Sequence, residues 1–68
     1  MKKVKCKLIS IDLIHDRWRA LVVPLEAHHR LGTSAIGHRV RTSVISHVSF
    51  KDCILVTMNT IYDFGEKS

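Results

Sequence analysis

The chain has 68 residues, of which 46% are hydrophobic and 25% are charged. This length predicts one domain over residues 1–68 with a flexible polar tail at 65–68, and the apolar content excludes an intrinsically disordered chain. Eleven Lys and Arg against six Asp and Glu leave a net charge of +5. Such a charge favours an anionic partner such as nucleic acid, an acidic protein or anionic lipid, or it serves solubility alone.

The sequence predicts a cytoplasmic protein without a membrane segment. Its longest uninterrupted apolar run, residues 20–25, is far shorter than a membrane span, and residues 1–7 lack the apolar stretch of a signal peptide. In a reducing compartment Cys6 and Cys53 are expected to be free thiols, although the sequence also leaves a single disulfide between them open.

The first predicted strand begins at residues 3–8, where Lys and apolar side chains alternate. This period of two is typical of a strand with one buried and one solvated face. The apolar positions change parity after Leu8, which predicts a β-bulge or strong coiling. With a turn at residues 15–16, the segments 8–14 and 18–23 are predicted to form a hairpin.

Pro24 is predicted to end the second strand or to place it at a sheet edge, because proline has no N–H to donate. Residues 25–31 are predicted either as a short helix or as an irregular loop. Glu26 suits the positive end of such a helix and Gly32 suits its termination. Residues 32–37 are predicted to be a loop.

The C-terminal half predicts three further strands. Side chains of alternating polarity indicate one long strand over residues 40–51. A turn at residues 51–52 leads into residues 53–58, a β-branched run that is typical of a well-buried strand. A second turn at residues 59–60 precedes a last short strand at residues 61–64.

These elements predict a mainly β fold. We expect a small five-stranded antiparallel barrel of the SH3-like or OB-like kind, with at most one short helix. A barrel removes the exposed strand edges that promote aggregation. The alternative is an open antiparallel sheet with one helix across it.

No catalytic or metal-binding pattern is apparent, so the sequence predicts neither an enzyme nor a cofactor nor a metal site. The five His and two Cys lack the closely spaced pairs that hold structural zinc. No nucleophile elbow, phosphate-binding glycine loop or carboxylate pair is present. The histidines are expected at the surface or in turns, and Cys6 and Cys53 are expected to be inert core thiols.

Basic residues at three places are typical of a nucleic-acid-binding surface. Arg17-Trp18-Arg19 puts an aromatic ring between two guanidiniums, a unit that can stack on a base while it holds phosphates. Two arginines share one face of the predicted third strand, and lysines at positions 3, 5 and 7 form another stripe. A lone Trp in a small domain is, however, more often a core residue. The predicted nucleic-acid contacts are Arg17, Trp18, Arg19, Arg39 and Arg41.

Protein binding is the alternative function. The loop of residues 26–38 combines apolar and polar side chains, as interface loops do. Its predicted contacts are His28, His29, Arg30 and Leu31. A mobile connector is the other interpretation of this loop.

The segment from Val40-Arg41-Thr42-Ser43 to Thr57-x-Asn59-Thr60-x-Tyr62 resembles small accessory proteins encoded by phages and prophages of enteric bacteria. The resemblance covers about a third of the chain. Proteins of that kind are short and often basic, and some modulate host replication, recombination or defence. The resemblance implies a non-enzymatic factor that acts on a host component, and it provides no catalytic residues.

Together these observations predict an accessory factor that binds nucleic acid, or a host complex that handles nucleic acid, through a basic face. The alternative is an inhibitor or adaptor that binds a host protein through the 26–38 loop. The sequence leaves a homodimer open. A steep dependence on salt would distinguish phosphate binding from an apolar protein interface.

Overall fold

Residues 2–65 are described by the computed structural model, and they form a six-stranded sheet. The strands are β1 (Lys2–Ile14), β2 (Arg17–Pro24), β3 (Val40–Arg41), β4 (Ile45–Ser49), β5 (Ile54–Thr57) and β6 (Thr60–Asp63). Their order across the sheet is β3-β2-β1-β6-β5-β4. The prediction of a mainly β fold is confirmed.

The predicted five-stranded antiparallel barrel is wrong. The sheet has six strands and is not closed, and β1 pairs with β6 in parallel. It is open as in the alternative prediction, but no helix crosses it within residues 2–65. Because the edge strands β3 and β4 are joined by only residues 42–44, the sheet curls until its two edges approach each other at that end.

The long strand β1 organises the sheet because it pairs on both sides. Residues 2–5 pair with β6, and residues 6–14 pair with β2. The change of parity predicted after Leu8 is confirmed, since Leu8 lies opposite Val22 whereas Ser10 lies opposite Leu21, with a bulge between them. The predicted hairpin of β1 and β2 is also confirmed, and Pro24 ends β2.

The hydrophobic core lies on the inner side of the curled sheet. It is built from alternate residues of four strands, as the period of two requires. Its fully buried members are Val4, Cys6, Ala20, Val22, Leu55 and Tyr62. We call the side of the sheet that carries these residues the inner face, and the opposite side the outer face.

The helix predicted for residues 25–31 does not form. Two backbone hydrogen bonds instead join His28 and Gly32, with N–O distances of 3.2 and 2.6 Å. Gly32 leaves this short loop with a φ of 68°, which glycine adopts without strain. Within the described residues the helical content is one 3-10 turn at Thr33–Ala35.

The strand predicted for residues 40–51 is interrupted after Arg41. The Thr42 hydroxyl accepts a hydrogen bond from the Ala20 N–H at 3.0 Å, and the Thr42 N–H donates to the Ala20 carbonyl at 2.9 Å. The Thr42 hydroxyl thus accepts the hydrogen bond that a backbone carbonyl of β3 would otherwise accept. The pairing with β2 ends there, and the chain continues to β4. Cys53 lies in the following turn with a φ of 56°, so β5 begins one residue later than predicted.

Of the tail predicted for residues 65–68, residues 66–68 lie outside the described residues. From residue 2 to residue 65 the chain contains no helix with the length and apolar character needed to cross a membrane.

Candidate functional site

Strand pairing collects the predicted basic residues of β2 and β3 on the outer face. Side chains alternate between the two faces of a strand, and residues opposite each other in neighbouring strands share a face. Ala20 and Val22 point into the core, so Arg17 and Arg19 point outwards. Arg41 lies opposite Leu21, which has the outward parity, and therefore joins the two arginines.

The lysines of β1 lie on the same side of the sheet. Val4 and Cys6 are buried, so the alternating lysines between and beside them are outward and exposed. Residues from each of the three basic stripes thus share one side of the sheet, although Arg39 lies outside β3. We call this surface the basic face; it consists of Lys3, Lys5, Lys7, Arg17, Arg19 and Arg41.

Two carboxylates neutralise part of the basic face. The Arg41 Nη1 and Asp12 Oδ2 atoms are 2.7 Å apart, and the Ser10 hydroxyl donates to the same oxygen at 2.7 Å. These hydrogen bonds, that of Arg41 first, hold the pKa of Asp12 below its usual value, so the carboxylate stays ionised. Lys3 Nζ lies 3.6 Å from Asp63 Oδ2.

The remaining arginines differ in how firmly they are held. The Arg19 guanidinium donates to the Thr42 carbonyl at 3.3 Å, which orients it beside β3. Arg17 is exposed and takes part in no ion pair within residues 2–65. Arg39 is exposed and immediately precedes β3, outside the strand itself.

Trp18 does not lie with the arginines that flank it in sequence. It has the parity of Ala20 and lies opposite Leu13, so its indole is on the inner face. It is nevertheless 52% exposed, because the core ends before this tip of the hairpin. The structure therefore separates the predicted stacking group from the predicted phosphate ligands, and the ring is also not a buried core residue.

The Trp18 indole lines an apolar groove of about 480 Å³ between β2 and β4. Ile11, Ile45 and Val48 form its floor and pack against the core. Phe50, which is 65% exposed, bounds the groove and contacts Phe64 edge-on with ring centroids 6.0 Å apart. We call this cavity the Trp18 groove; its lining is Ile11, Trp18, Ile45, Ser46, His47, Val48 and Phe50.

The sequence predictions missed this groove. In the long strand predicted for residues 40–51, Val48 and Phe50 share one face and Ile45 lies on the other, so the pattern does not bring the three together. The exposed groove exists because β3 covers β2 only at Leu21 and Val22, which leaves the sheet open in front of Trp18. Alternation of side chains along the sequence contains no signal for such a gap.

His28 of the predicted protein-binding loop is a core residue. It is only 4% exposed, and its Nε2 atom lies 2.9 Å from the Tyr62 hydroxyl. Its Nδ1 atom accepts a hydrogen bond from the Arg30 N–H at 3.0 Å, so Nε2 is the atom that holds the proton of the neutral ring. The expectation of surface or turn histidines is wrong at this position.

Burial of the His28 ring lowers its pKa, and the neighbouring His29 and Arg30 lower it further. The His29 ring stacks on His28 with centroids 4.8 Å apart. Its Nε2 atom lies 3.4 Å from the Thr60 hydroxyl oxygen. His29, Arg30 and Leu31 are exposed, but the loop they belong to is anchored to the sheet through His28.

The two cysteines are free thiols in different surroundings. Burial, assisted by the charge of Asp63, raises the pKa of the Cys6 thiol to about 12, so its thiolate does not form near neutral pH. Cys53 is a half-buried free thiol in the turn before β5. Among residues 2–65 no group of three His, Cys, Asp or Glu side chains is arranged to hold a metal ion.

No family model, curated protein sequence or solved structure matches this chain. The resemblance of residues 40–62 to phage and prophage accessory proteins therefore stays a prediction that rests on those residues alone.

Proposed function

We propose that this protein is a non-enzymatic accessory factor that binds the phosphate backbone of nucleic acid through the basic face. The supporting observation is that six cationic side chains from three adjacent strands lie on one side of the sheet. Two of the six, Lys3 and Arg41, pair with the carboxylates of Asp63 and Asp12.

The arrangement suits a row of phosphates. Alternate outward residues of one strand stand about 7 Å apart, as Arg17 and Arg19 do. Arg41 lies opposite Leu21, the next outward residue after Arg19. Several cations can therefore meet successive phosphates together. A guanidinium binds a phosphate through two parallel hydrogen bonds, and a lysine adds a point charge. Arg17 at the open end of β2 is the contact we expect to be strongest, because no carboxylate of residues 2–65 forms an ion pair with it.

The position of Trp18 determines what such binding can recognise. The aromatic residues are one Trp, one Tyr and two Phe, and none of them belongs to the basic face. Without a ring for base stacking, the contacts are to phosphates, which fix position but not sequence. We therefore expect salt-dependent binding with little sequence preference and no preference for single strands.

A salt titration with a fluorescently labelled DNA duplex tests the proposal. Changing Arg17→Ala and Arg19→Ala together removes two phosphate contacts, so the slope of log affinity against log salt should become shallower by about 1.8. At moderate salt the affinity should fall roughly tenfold or more. Circular dichroism should show the same sheet signal for both proteins.

The matched control changes Arg30→Ala and Lys51→Ala, two exposed cations outside the basic face. It removes the same net charge from the chain. If the control pair weakens duplex binding as much as the β2 pair, net charge rather than the basic face is responsible. If neither pair changes the affinity, the proposed function is wrong.

A further inference from the structure

We propose that the Trp18 groove binds an extended peptide segment of a partner protein, which adds to the sheet as a strand along the open edge of β4. The segment alternates apolar and acidic side chains. The groove itself lies on the opposite face of the sheet from the proposed nucleic-acid contacts, whereas the acidic side chains of the segment reach Arg17 and Arg19 at its rim. The proposal goes beyond the proposed function.

The two strands that flank the groove, β4 and β2, each have an edge that is wholly or partly without a partner strand among residues 2–65. β4 is the last strand in the sheet order, so one edge pairs with β5 and the other has no partner strand among residues 2–65. On the far side of the groove, β3 pairs with β2 only at Leu21 and Val22. The edge at Arg17-Trp18-Arg19 is therefore uncovered as well. Unpaired N–H and C=O groups of an edge are a template for an added strand, whereas a helix would leave them unpaired.

The floor of the groove is apolar and continuous with the core. Alternate residues of an added strand would point inwards, onto Ile11, Ile45 and Val48. Trp18 and Phe50 stand on either side with much of their rings exposed. A volume of about 480 Å³ is within the range of built binding sites and has room for apolar side chains of the guest.

The positive charge at the rim of the groove favours acidic side chains at the alternate positions of the guest strand that point outwards. The remaining residues of the added strand would point to the outer face, where Arg17 and Arg19 flank Trp18 along β2. Opposite charges across neighbouring strands are favourable, and the chain as a whole carries a net charge of +5. Acidic residues at these positions complement the rim. A second copy of this chain is a poorer occupant because it brings the same arginines and the same net charge.

Trp18 supplies the readout, because it is the sole tryptophan of the chain. The probe is a short acetylated peptide of alternating valine and glutamate. It is compared with an alternating valine–lysine peptide and with a shuffled peptide of the same composition as the probe, in which all valines come first in the sequence and all glutamates follow. Burial of the indole by the first peptide should shift the Trp18 emission to the blue in a saturable way. The other two should leave the emission unchanged.

Phe50→Ser removes one wall of the groove and should weaken binding of the valine–glutamate peptide about fivefold or more. The matched control is Met58→Ser, since Met58 is 80% exposed and lies outside the groove lining. It should bind as the wild type does. Circular dichroism of both variants checks that the sheet is retained.

Four results would overturn this proposal. The first is that the valine–glutamate peptide leaves the Trp18 emission unchanged. The second is that the valine–lysine peptide or the shuffled peptide shifts the emission as much as the valine–glutamate peptide does. The third is that concentrating the protein alone shifts the emission, which shows that a second copy occupies the groove. The fourth is that single-stranded DNA quenches the emission in place of the peptide. Duplex binding by the Phe50→Ser variant should equal that of the wild type. If the valine–glutamate peptide does not bind, the proposed function still stands. If the duplex does not bind, the peptide experiment still tests the groove.

Discussion

The basic face and the Trp18 groove are built from the same stretch of chain, Arg17-Trp18-Arg19, yet they lie on opposite sides of the sheet. The strand sends the guanidiniums outwards and the indole inwards. In the sequence the three residues resemble a single site of stacking and phosphate binding. The fold divides them into a polar surface on one side of the sheet and an apolar groove on the other.

The two surfaces also differ in their relation to stability. The basic face consists mostly of exposed side chains, and its ion pairs are of the surface kind that contributes little to folding. The Trp18 groove is continuous with the core, because Ile11, Ile45 and Val48 belong to both. Changes in the groove floor should therefore affect folding, whereas changes on the basic face should affect binding alone.

The largest change we expect is the loss of stability on truncating the core beside the groove. Leu55 is fully buried, so Leu55→Ala should lower the free energy of unfolding by about 2–5 kcal/mol. Phe50→Ala, at the exposed wall of the groove, should lower it by less than about 1 kcal/mol. Urea denaturation followed by circular dichroism measures both. An equal loss for the two variants would mean that the groove is an integral part of a closed core.

A smaller effect is the pH dependence of folding stability, which involves neither the basic face nor the Trp18 groove. The pKa of His28 is lowered in the folded state, so the neutral ring is favoured there. Its contribution to stability is present above the unfolded pKa of about 6.5 and is lost as the pH falls through the lower folded pKa. The wild type should therefore lose stability between neutral pH and about pH 5.

Thermal unfolding across that pH range tests this effect with two variants. His28→Gln should lose the part of the pH dependence that His28 causes, although it is less stable at neutral pH. His47→Gln, a change at an exposed position, should keep the wild-type dependence. Equal pH profiles for His28→Gln and the wild type would exclude His28 as the responsible group.

The smallest effect that we expect is on duplex binding by the basic face, and it is a gain of affinity rather than a loss. Asp12→Asn removes a carboxylate and releases the Arg41 guanidinium from its 2.7 Å ion pair. Duplex affinity should rise by roughly two- to fivefold, since one more cation reaches a phosphate. Fluorescence anisotropy at two salt concentrations measures it. A fall in affinity would show that Asp12 is needed to hold Arg41 in place.

Local patterns predicted much of the first hairpin. The change of parity after Leu8 predicted the bulge, and the turn at residues 15–16 and the end of β2 at Pro24 follow from local side-chain chemistry. Tertiary contacts determined what the patterns missed. The parallel pairing of β1 with β6 joins residues about sixty positions apart in sequence, and alternation specifies faces but not partners.

The helix alternative for residues 25–31 and the continuous third strand failed for comparable reasons, whereas the loop alternative for residues 25–31 is what the structure has. Residues 25–31 have a composition suited to a helix, but the buried hydrogen bond between His28 and Tyr62 fixes a different backbone. The strand predicted over residues 40–51 breaks because the Thr42 side chain bonds to Ala20. Alternation along β2 puts Arg17 and Arg19 on one face and Trp18 on the other. The sequence prediction nevertheless grouped all three, and the pairing of β2 with β3 that adds Arg41 does not follow from alternation.

The most direct measurement follows the labelled duplex and Trp18 in one titration. As wild-type protein binds the duplex, the anisotropy of the label should rise to saturation while the wavelength and intensity of the Trp18 emission stay constant, because the indole lies on the face away from the phosphates. A quenched or shifted Trp18 emission that follows the anisotropy would contradict the separation of the two surfaces.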